Sequence, residues 1–282
     1  MSALSYIHLN NNNLINLPQS ICELDINWSI PSVSSIYDNY LCELGYYPEC
    51  LEDFLGEQVC DWFLLGDTNL NGEVNILDVV NFIQNNLDPS LAFRYSCRAG
   101  MCGTCSMRIN GKNRWTCRTS FQGFEGKELI IEPLPHYPII KDLAVDMSPF
   151  FDRYRRVRSE FVPKIPESQE FAKILPDSRE RKNIDPQIEC ITCGCCYGEC
   201  NIVETNQRYL GPAAMNRAFT LIADSRDGAG KERLDILNSH DGAWGCHTQF
   251  NCTDVCPMGI SPTRAIQKLK RKEVVHAFKN FF

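Results

Sequence analysis

The pattern of apolar and polar residues predicts a helix and then a hairpin in the middle of the chain. Apolar residues at positions 76, 77, 79, 80 and 83 share one helical face, which predicts a helix over Ile76–Leu87. Further along, Met107–Ile109 and Lys112–Trp115 flank Asn110 and Gly111, and an Asn-Gly pair is the strongest signal for a two-residue hairpin. This order of elements is typical of a small α+β domain.

The last part of the chain has a helical pattern. Small and apolar residues at mixed helical spacing predict a core helix over Pro212–Asp224. Ser261 and Pro262 have the types preferred at an N-cap and a first helical position, so they predict a second helix that runs through Lys272. Cations at 268, 270, 271 and 272 would end it. They would face either an anionic lipid headgroup or a partner subunit, or else solvent.

Length and composition limit the classes of function. A chain of 282 residues is long enough for about two domains, and 44% hydrophobic residues suffice for packed cores. The net charge of -7 excludes binding to nucleic acid through phosphate contacts. We find no apolar run of transmembrane length, and Met1–Pro18 lacks the features of a secretory signal.

Sixteen cysteines in such a chain point to metal binding, because thiols in a reducing compartment are usually metal ligands rather than disulfides. Most of them form three groups: Cys97, Cys102, Cys105 and Cys117; Cys190, Cys193, Cys195, Cys196 and Cys200; and Cys246, Cys252 and Cys256. The other four, Cys22, Cys42, Cys50 and Cys60, fit no ligand pattern. The last three of these would be disulfide candidates in an oxidising compartment.

The first group has the C-x4-C-x2-C spacing and distant fourth cysteine of plant-type 2Fe-2S ferredoxins. Gly100 and Gly103 lie between the ligands, where a missing Cβ lets the backbone approach a cluster closely. The predicted hairpin returns Cys117 towards this loop. Zinc is the alternative, but structural zinc sites favour two C-x2-C pairs, and this group has one.

The second and third groups have the spacing of a two-cluster ferredoxin, in which each run supplies its last cysteine to the other cluster. This logic predicts a 4Fe-4S cluster on Cys190, Cys193, Cys196 and Cys256. The other cluster would then bind to Cys200, Cys246 and Cys252. Gln249 stands where a fourth thiolate would be needed, so this second cluster is predicted to be 3Fe-4S. Cys195 is left over and is interpreted as a small buried residue.

Four stretches resemble the iron–sulfur subunits of succinate dehydrogenase and fumarate reductase. They are LDPSLAFRYSCRAGMCGTCSMRING, IECITCGCC, GPAAMNRAF and GCHTQFNCTDVCPMGISPTRAI, and the resemblance runs from about residue 76 to about 269. It implies 2Fe-2S, 4Fe-4S and 3Fe-4S clusters that carry electrons between a flavin and a quinone. The flavin would lie in an FAD-containing flavoprotein subunit and the quinone in a membrane-anchor subunit.

The same resemblance implies a peripheral protein on the cytoplasmic side of the inner or cell membrane, held there by a partner. The chain has no flavin-nucleotide motif, so the dicarboxylate chemistry belongs to another subunit. An alternative in the same class is an anchor-free relative that delivers electrons to a thiol or heterodisulfide partner.

His247, next to Cys246, occupies a position near the quinone headgroup in quinone-reducing relatives. A role in hydrogen bonding or proton handling is one interpretation, and a structural bond to a nearby carbonyl is the other. Glu204 and Thr205 stand where some ubiquinone-using relatives have tryptophans, and Gly194-Cys195-Cys196 looks more like menaquinone enzymes. Asn201 replaces the proline of the ferredoxin pattern.

The first quarter of the chain has a different character. The spacing of Leu4, Ile7, Leu9, Asn12, Leu14 and Leu17 resembles one leucine-rich repeat, where at least three are needed for a core. Asp67, Asn69, Asn71 and Asp78 resemble the calcium loop of a dockerin-like module. The alternative for this loop is a polar turn in which Asn75 caps the following helix. A secreted calcium-binding adhesion module is a further alternative for residues 1–75.

These patterns predict three regions and an α+β fold class. Residues 1–66 form a leucine-rich-repeat-like or irregular segment, and a fusion or gene-model junction lies near residue 75. Residues 67–148 form a β-grasp-like 2Fe-2S ferredoxin domain that lacks its usual first strands. Residues 149–282 form an α-helical domain for two clusters.

Overall fold

The computed structural model describes residues 73–281 apart from 125 and 165–172. Before residue 73 it describes 7–9, 17–24, 34–36 and 47–55, with single residues at 14, 26, 29, 39 and 41. The chain divides into two units, Met1–Val74 and Asn75–Phe282, which are described separately below.

In the first unit, two parallel passes of the chain are tied together by a buried asparagine. Strand β1 (Ile7–His8) pairs in parallel with β2 (Ser34–Ser35), which lies 27 residues later. The Asn39 amide donates to the carbonyls of Leu9 (2.7 Å) and Ile36 (2.8 Å) and accepts from the backbone N–H of Leu14 (3.0 Å). The leucine-rich-repeat interpretation stays a prediction, because the described residues form two passes where three are needed.

The apolar residues of this unit form their own cluster, whose buried members are Ile21, Ile36, Leu41, Leu51 and Leu55. Beside it, a disulfide joins Cys22 to Cys50, each in a short 3-10 helix (Gln19–Glu23 and Glu49–Phe54). The candidates named from the sequence included Cys50 but not Cys22. Spacing alone gave no reason to choose Cys22, because folding brings it to Cys50 from 28 residues away. Cys42 and Cys60 lie outside the described residues.

The second unit begins with a capped helix, α1 (Ile76–Asn86). The Asn75 side chain accepts from the N–H groups of Leu77 and Asp78, and the Asp78 carboxylate accepts from the Asn75 N–H at 3.0 Å. This reciprocal arrangement is a capping box. It provides hydrogen-bond acceptors for backbone N–H groups in the first turn, which have no partner within the helix. The predicted helix and its Asn75 cap are both confirmed.

The strands of the second unit form two small sheets. In the first, β3 (Ser106–Ile109) lies between β4 (Lys112–Trp115) and β5 (Ile131–Glu132), with both pairings antiparallel. The Asn110-Gly111 hairpin is therefore confirmed, and it places Ser106 directly opposite Trp115. The second sheet is the hairpin of β6 (Ile139–Lys141) and β7 (Ala144–Val145).

From residue 148 onward the second unit is helical, with α6 at its centre. The helices are α2 (Ser148–Arg156), α3 (Arg179–Ile188), α4 (Cys195–Gly198), α5 (Asn201–Thr205), α6 (Pro212–Ala223), α7 (Gly230–Leu237), α8 (Asn251–Asp254) and α9 (Pro262–Phe281). Helix α6 is buried along most of its length and packs against α3, α7 and α9. The predicted core helix at 212–224 is confirmed.

The last helix is longer than the sequence pattern predicts. It was expected to end at Lys272, but α9 continues to Phe281 because neither glycine nor proline interrupts the residues after Lys272. The cations at 268–272 therefore lie in the middle of the helix. The extension also buries Glu273, which is 1% exposed and has no hydrogen-bond partner for either carboxylate oxygen among the described residues.

A fully buried ion pair joins α7 to the segment that follows α2. Arg233 pairs with Asp227, and both side chains have zero exposure. Arg233 also donates to the carbonyls of Arg158 (2.8 Å) and Glu160 (2.6 Å), and Asp227 accepts from the Val162 N–H (3.1 Å). The charges are thus matched and hydrogen-bonded, as burial requires.

Candidate metal centres

The four cysteines of the first group converge on the loop before β3. Three backbone N–H groups, from Ala99, Met101 and Cys102, donate to the Cys97 sulfur at 3.2–3.4 Å. Cys105 and Cys117 pack together against Leu77 of α1. A loop that directs several N–H groups at one sulfur stabilises negative charge there, which is what a thiolate bound to iron requires.

The thiol ionisation in this loop follows from these contacts. Burial opposes ionisation of Cys97, but the N–H groups lower its pKa to about 7. A hydrogen bond from the Cys117 thiol lowers the pKa of Cys105 to about 6, while burial acts in the opposite direction. The same bond raises the pKa of Cys117, so one proton is held between these two sulfurs.

Gly103, between two cysteines of the first group, lies directly against the second group. Its φ is +70°, a left-handed conformation that glycine adopts without strain. A Cβ at this position would stand 2.8 Å from both Cα and Cβ of Cys193 and 3.1 Å from the carbonyl oxygen of Ile191. The backbone of the first cysteine loop therefore touches the backbone of the second.

One cavity brings together four cysteines of the second and third groups. They are Cys190, Cys193, Cys196 and Cys256, and the other lining residues include Ile191, Ala213 and Ile260. Cys195 does not line this cavity; it is fully buried, and the Asn113 amide donates to its carbonyl at 3.1 Å.

A second cavity is lined by Cys200, Cys246 and Cys252 together with Gln249. Gln249 accepts a hydrogen bond from the Asn201 amide at 3.3 Å, and the Cys252 sulfur lies 3.2 Å from the Thr263 hydroxyl. Lys270 of α9 donates to the Cys246 carbonyl at 2.8 Å. The two cavities thus separate the seven cysteines into the sets of four and three that the spacing predicts.

Burial favours the protonated form of several thiols in these cavities. It raises the pKa of Cys190 and of Cys252 to about 11 and raises the pKa of Cys196 and Cys200 as well. Coordination needs thiolates, so iron binding here must release protons. Cysteine thiolates are the donors that hold iron–sulfur clusters, so the two donor sets fit such clusters.

Comparison with known proteins agrees with this geometry. The family described as "2Fe-2S iron-sulfur cluster binding domain" matches residues 64–152, and the "4Fe-4S dicluster domain" matches residues 187–260. The chain is 41% identical over 200 residues to the succinate dehydrogenase (ubiquinone) iron-sulfur subunit 1, mitochondrial, of Oryza sativa subsp. japonica, covering 71% of each chain. It is 39% identical over 201 residues to the succinate dehydrogenase iron-sulfur subunit of Paracoccus denitrificans, covering 71% of this chain and 76% of that one.

This chain belongs to the iron–sulfur subunits of succinate dehydrogenase. A solved structure agrees: the Sdh1 complex of Mycobacterium smegmatis in the apo form contains a chain with a TM-score of 0.66 and 27% identity. The match covers 72% of this chain and 86% of that one. The predicted fold, a 2Fe-2S ferredoxin domain followed by a helical dicluster domain, is confirmed, and so is electron transfer within a quinone-dependent succinate oxidoreductase.

Other sequence interpretations of the subunit stay predictions. Asp67, Asn69 and Asn71 of the proposed calcium loop lie outside the described residues, and Asp78 caps α1. These positions fall inside the match to the 2Fe-2S family, and no finding supports a calcium loop or a leucine-rich repeat. The domain limits at 66 and 148 are not tested. No described helix has both the length and the apolar character needed to cross a bilayer.

Two residues of the third site were missed from the sequence. Tyr209 is 1% exposed and lines the cavity with Cys246, and Thr263 lies against Cys252. Burial and the nearby thiols raise the pKa of Tyr209, which keeps its hydroxyl protonated. Neither residue belongs to a cysteine motif, so spacing carries no signal for them.

Proposed function

We propose that the subunit binds three clusters through eleven cysteines. Cys97, Cys102, Cys105 and Cys117 hold 2Fe-2S; Cys190, Cys193, Cys196 and Cys256 hold 4Fe-4S; Cys200, Cys246 and Cys252 hold 3Fe-4S. The observation that carries the proposal is the grouping of the last seven in two separate cavities, with Gln249 in the set of three. The clusters supply one-electron redox chemistry when bound.

The protein's own contribution is to position and shield these sites. The N–H groups around Cys97 stabilise negative charge on sulfur. The largely apolar cavity of Cys190, Cys193, Cys196 and Cys256 excludes water from its four thiols. Gly103 of the first site is in contact with Cys193 of the second. A short separation favours electron transfer, so this contact supports a chain of centres in the order 2Fe-2S, 4Fe-4S, 3Fe-4S.

We propose that the partners are an FAD-containing flavoprotein subunit and a membrane-anchor subunit with a quinone. Relatives and the structural neighbour, which belong to succinate dehydrogenase, support this assembly. The subunit would then lie on the cytoplasmic side of the membrane, held by its partner. The Oryza sativa relative is named for ubiquinone, whereas Gly194-Cys195-Cys196 favours menaquinone. Quinone reductase assays of the assembled complex with each quinone distinguish them.

We also propose that His247 faces the quinone. It is exposed and lines the cavity of Cys200, Cys246 and Cys252. In the assembled complex, His247→Ala should raise the KM for quinone while the oxidised 3Fe-4S signal stays unchanged. An unchanged KM would leave His247 with a structural role alone.

Electron paramagnetic resonance tests the cluster assignment on the full chain, purified without oxygen, as isolated and after dithionite reduction. We expect a 3Fe-4S signal in the oxidised protein and a 2Fe-2S signal on reduction. Cys256→Ala should impair the 4Fe-4S cluster, and Cys200→Ala should impair the 3Fe-4S cluster, although each lies in the other's sequence run. The opposite pattern would overturn the crossed assignment, and zinc in place of iron would overturn the function.

A further inference from the structure

The exposed side of helix α9 carries large apolar side chains near its C-terminal end. Val274, Val275 and Phe278 are 43%, 55% and 63% exposed. Together with Arg271, which is also exposed, they follow the i, i+3, i+4, i+7 spacing that places side chains on one face of a helix. Single exposed apolar residues are common on protein surfaces, whereas several side by side mark an interaction surface.

The cations of the same helix fall into two pairs with different surroundings. Lys268 donates to a side-chain amide of α3, and Lys270 donates to the Cys246 carbonyl, so both are bound inside the protein. Arg271 and Lys272 form no ion pair or hydrogen bond within the part of the chain that the structure describes. These two cations are therefore available to a group from outside the chain.

A cavity beside this face combines the two available cations with apolar walls. Arg271 and Lys272 line it together with Val275 of α9, Leu234 of α7 and Ile222 of α6. The cations can bind a negatively charged group there, and the apolar walls can contact hydrocarbon. Such a lining suits an anion that has an apolar part.

The acidic side chains of the neighbouring helix α7 are already paired with other groups. Asp235 is hydrogen-bonded to His276 at 2.8 Å, and Glu232 forms an ion pair with Arg158. The whole chain has a net charge of -7, so the positive charge at this end of α9 is local. A local charge of this kind acts over about 8 Å in physiological salt, which is the distance of a bound or closely apposed anion.

We propose that the α9 surface, formed by Arg271, Lys272, Val274, Val275 and Phe278, binds acidic phospholipids of a membrane. The two cations would bind phosphate groups, and the three apolar side chains would enter the boundary between headgroups and acyl chains. Cations beside an exposed apolar stripe on one helix are typical of helices that lie at a lipid surface. The inference deepens the proposed position of the subunit at a membrane, and it does not depend on the cluster assignment.

Sedimentation with lipid vesicles tests this on the full chain with its clusters. Vesicles of phosphatidylcholine alone are compared with vesicles that also contain phosphatidylglycerol, and we expect much tighter binding to the second kind. Changing both Arg271→Gln and Lys272→Gln should weaken that binding about thirtyfold, because each cation near a lipid surface contributes about a factor of five. Phe278→Ala should weaken it about tenfold by removing apolar contact with the acyl chains.

The matched control is Lys112→Gln with Arg114→Gln, which removes two exposed cations of β4 and changes the net charge by the same amount. We expect this variant to bind as the wild type does. An equal loss from both double variants would assign the attraction to net charge and overturn the inference. Equal binding of the wild type to both kinds of vesicle, or to neither, would overturn it as well.

A protein partner on the α9 surface would give a different result. The double variant at 271 and 272 would then fail to assemble with a membrane-anchor subunit, while the wild type would not bind acidic vesicles, and the inference would be wrong. Iron and sulfide contents of each preparation separate this inference from the proposed function. A chain with all its clusters that does not bind vesicles overturns the lipid site alone, and a wild-type chain without clusters overturns the proposed function.

Discussion

Gly103 and Cys193 are in backbone contact, so that a methyl group on Gly103 would overlap both Cα and Cβ of Cys193 at 2.8 Å. This contact joins the loop of the first cysteine group to the loop of the second. Its contribution to stability can be measured, because Gly111 in the nearby hairpin has nearly the same φ and open space around its Cβ position.

Gly103→Ala should destabilise the holoprotein by about 2–4 kcal/mol, from left-handed strain together with overpacking. Gly111 has φ +76° with open space around a Cβ, so Gly111→Ala should cost only the strain, about 1–2 kcal/mol. Anaerobic thermal unfolding of both variants measures the difference. Equal midpoints would show that contact with Cys193 contributes nothing.

Gln249→Cys should convert the three-cysteine centre into a 4Fe-4S cluster. Gln249 lines the cavity of Cys200, Cys246 and Cys252, and a thiolate there would supply the fourth ligand. The oxidised 3Fe-4S resonance should disappear, whereas Gln249→Ala should keep it. Persistence of that resonance in the cysteine variant would mean that residue 249 is not at the open corner.

Cys195→Ala should retain the iron content of the wild type, while Cys196→Ala should lose the 4Fe-4S centre. The reason is that Cys196 lines the four-cysteine cavity and Cys195 lies outside it. The alanine at 195 leaves a small void, so a stability loss of about 1 kcal/mol is expected. Iron and sulfide analysis is the measurement, and loss of iron from Cys195→Ala would make that residue a ligand.

Asp227→Asn should destabilise the protein by about 3–5 kcal/mol, because it leaves the buried charge of Arg233 without its partner. The control is Asp152→Asn, which breaks the exposed pair with Arg155, where side-chain exposures are 59% and 71%. That change should cost at most about 1 kcal/mol. Thermal unfolding of the two variants makes the comparison, and similar losses would contradict it.

Glu273 should make stability fall as pH rises. Burial raises its pKa from 4.5 to about 7, with Lys270 acting in the opposite direction. Because the folded state holds the proton more tightly, the stabilising effect of the neutral carboxyl is complete below about pH 4.5 and is lost as pH rises towards 7. Above pH 7, the free energy of unfolding of Glu273→Gln should therefore exceed that of the wild type, by at most about 3 kcal/mol.

Thermal unfolding between pH 5 and 8 tests this expectation, because this interval spans the folded-state pKa of about 7. The difference in stability between Glu273→Gln and the wild type should become smaller as the pH falls towards 5. Glu128 is exposed, so the stability of Glu128→Gln should follow that of the wild type at every pH. A constant gap for Glu273→Gln would show that its carboxyl does not titrate in this range.

Short sequence patterns predicted the structural elements that depend on neighbouring residues in the chain. The N-cap at Asn75 and the Asn-Gly hairpin were both predicted, because each depends on residues at fixed short spacing. The crossed assignment of the cysteines to clusters stays a prediction. The resemblance to iron–sulfur subunits added the partners, which spacing does not encode.

The sequence did not predict in the same way where helices end or how distant segments pack. The end of α9 was set too early, since a run of cations resembles a helix terminus although no breaker follows it. The burial of Tyr209 and of Glu273 depends on how separate segments pack. Neither residue type at its position is distinctive in the sequence.

The crossed cavities also constrain how the helical region folds. Each cavity is completed only when the segment around Cys196 and Cys200 meets the segment around Cys246 and Cys256. Closing one loop therefore forms both cavities, and the second requires little additional loss of chain entropy. The two sites should accordingly form in a single cooperative step, with no state in which one is complete and the other is open.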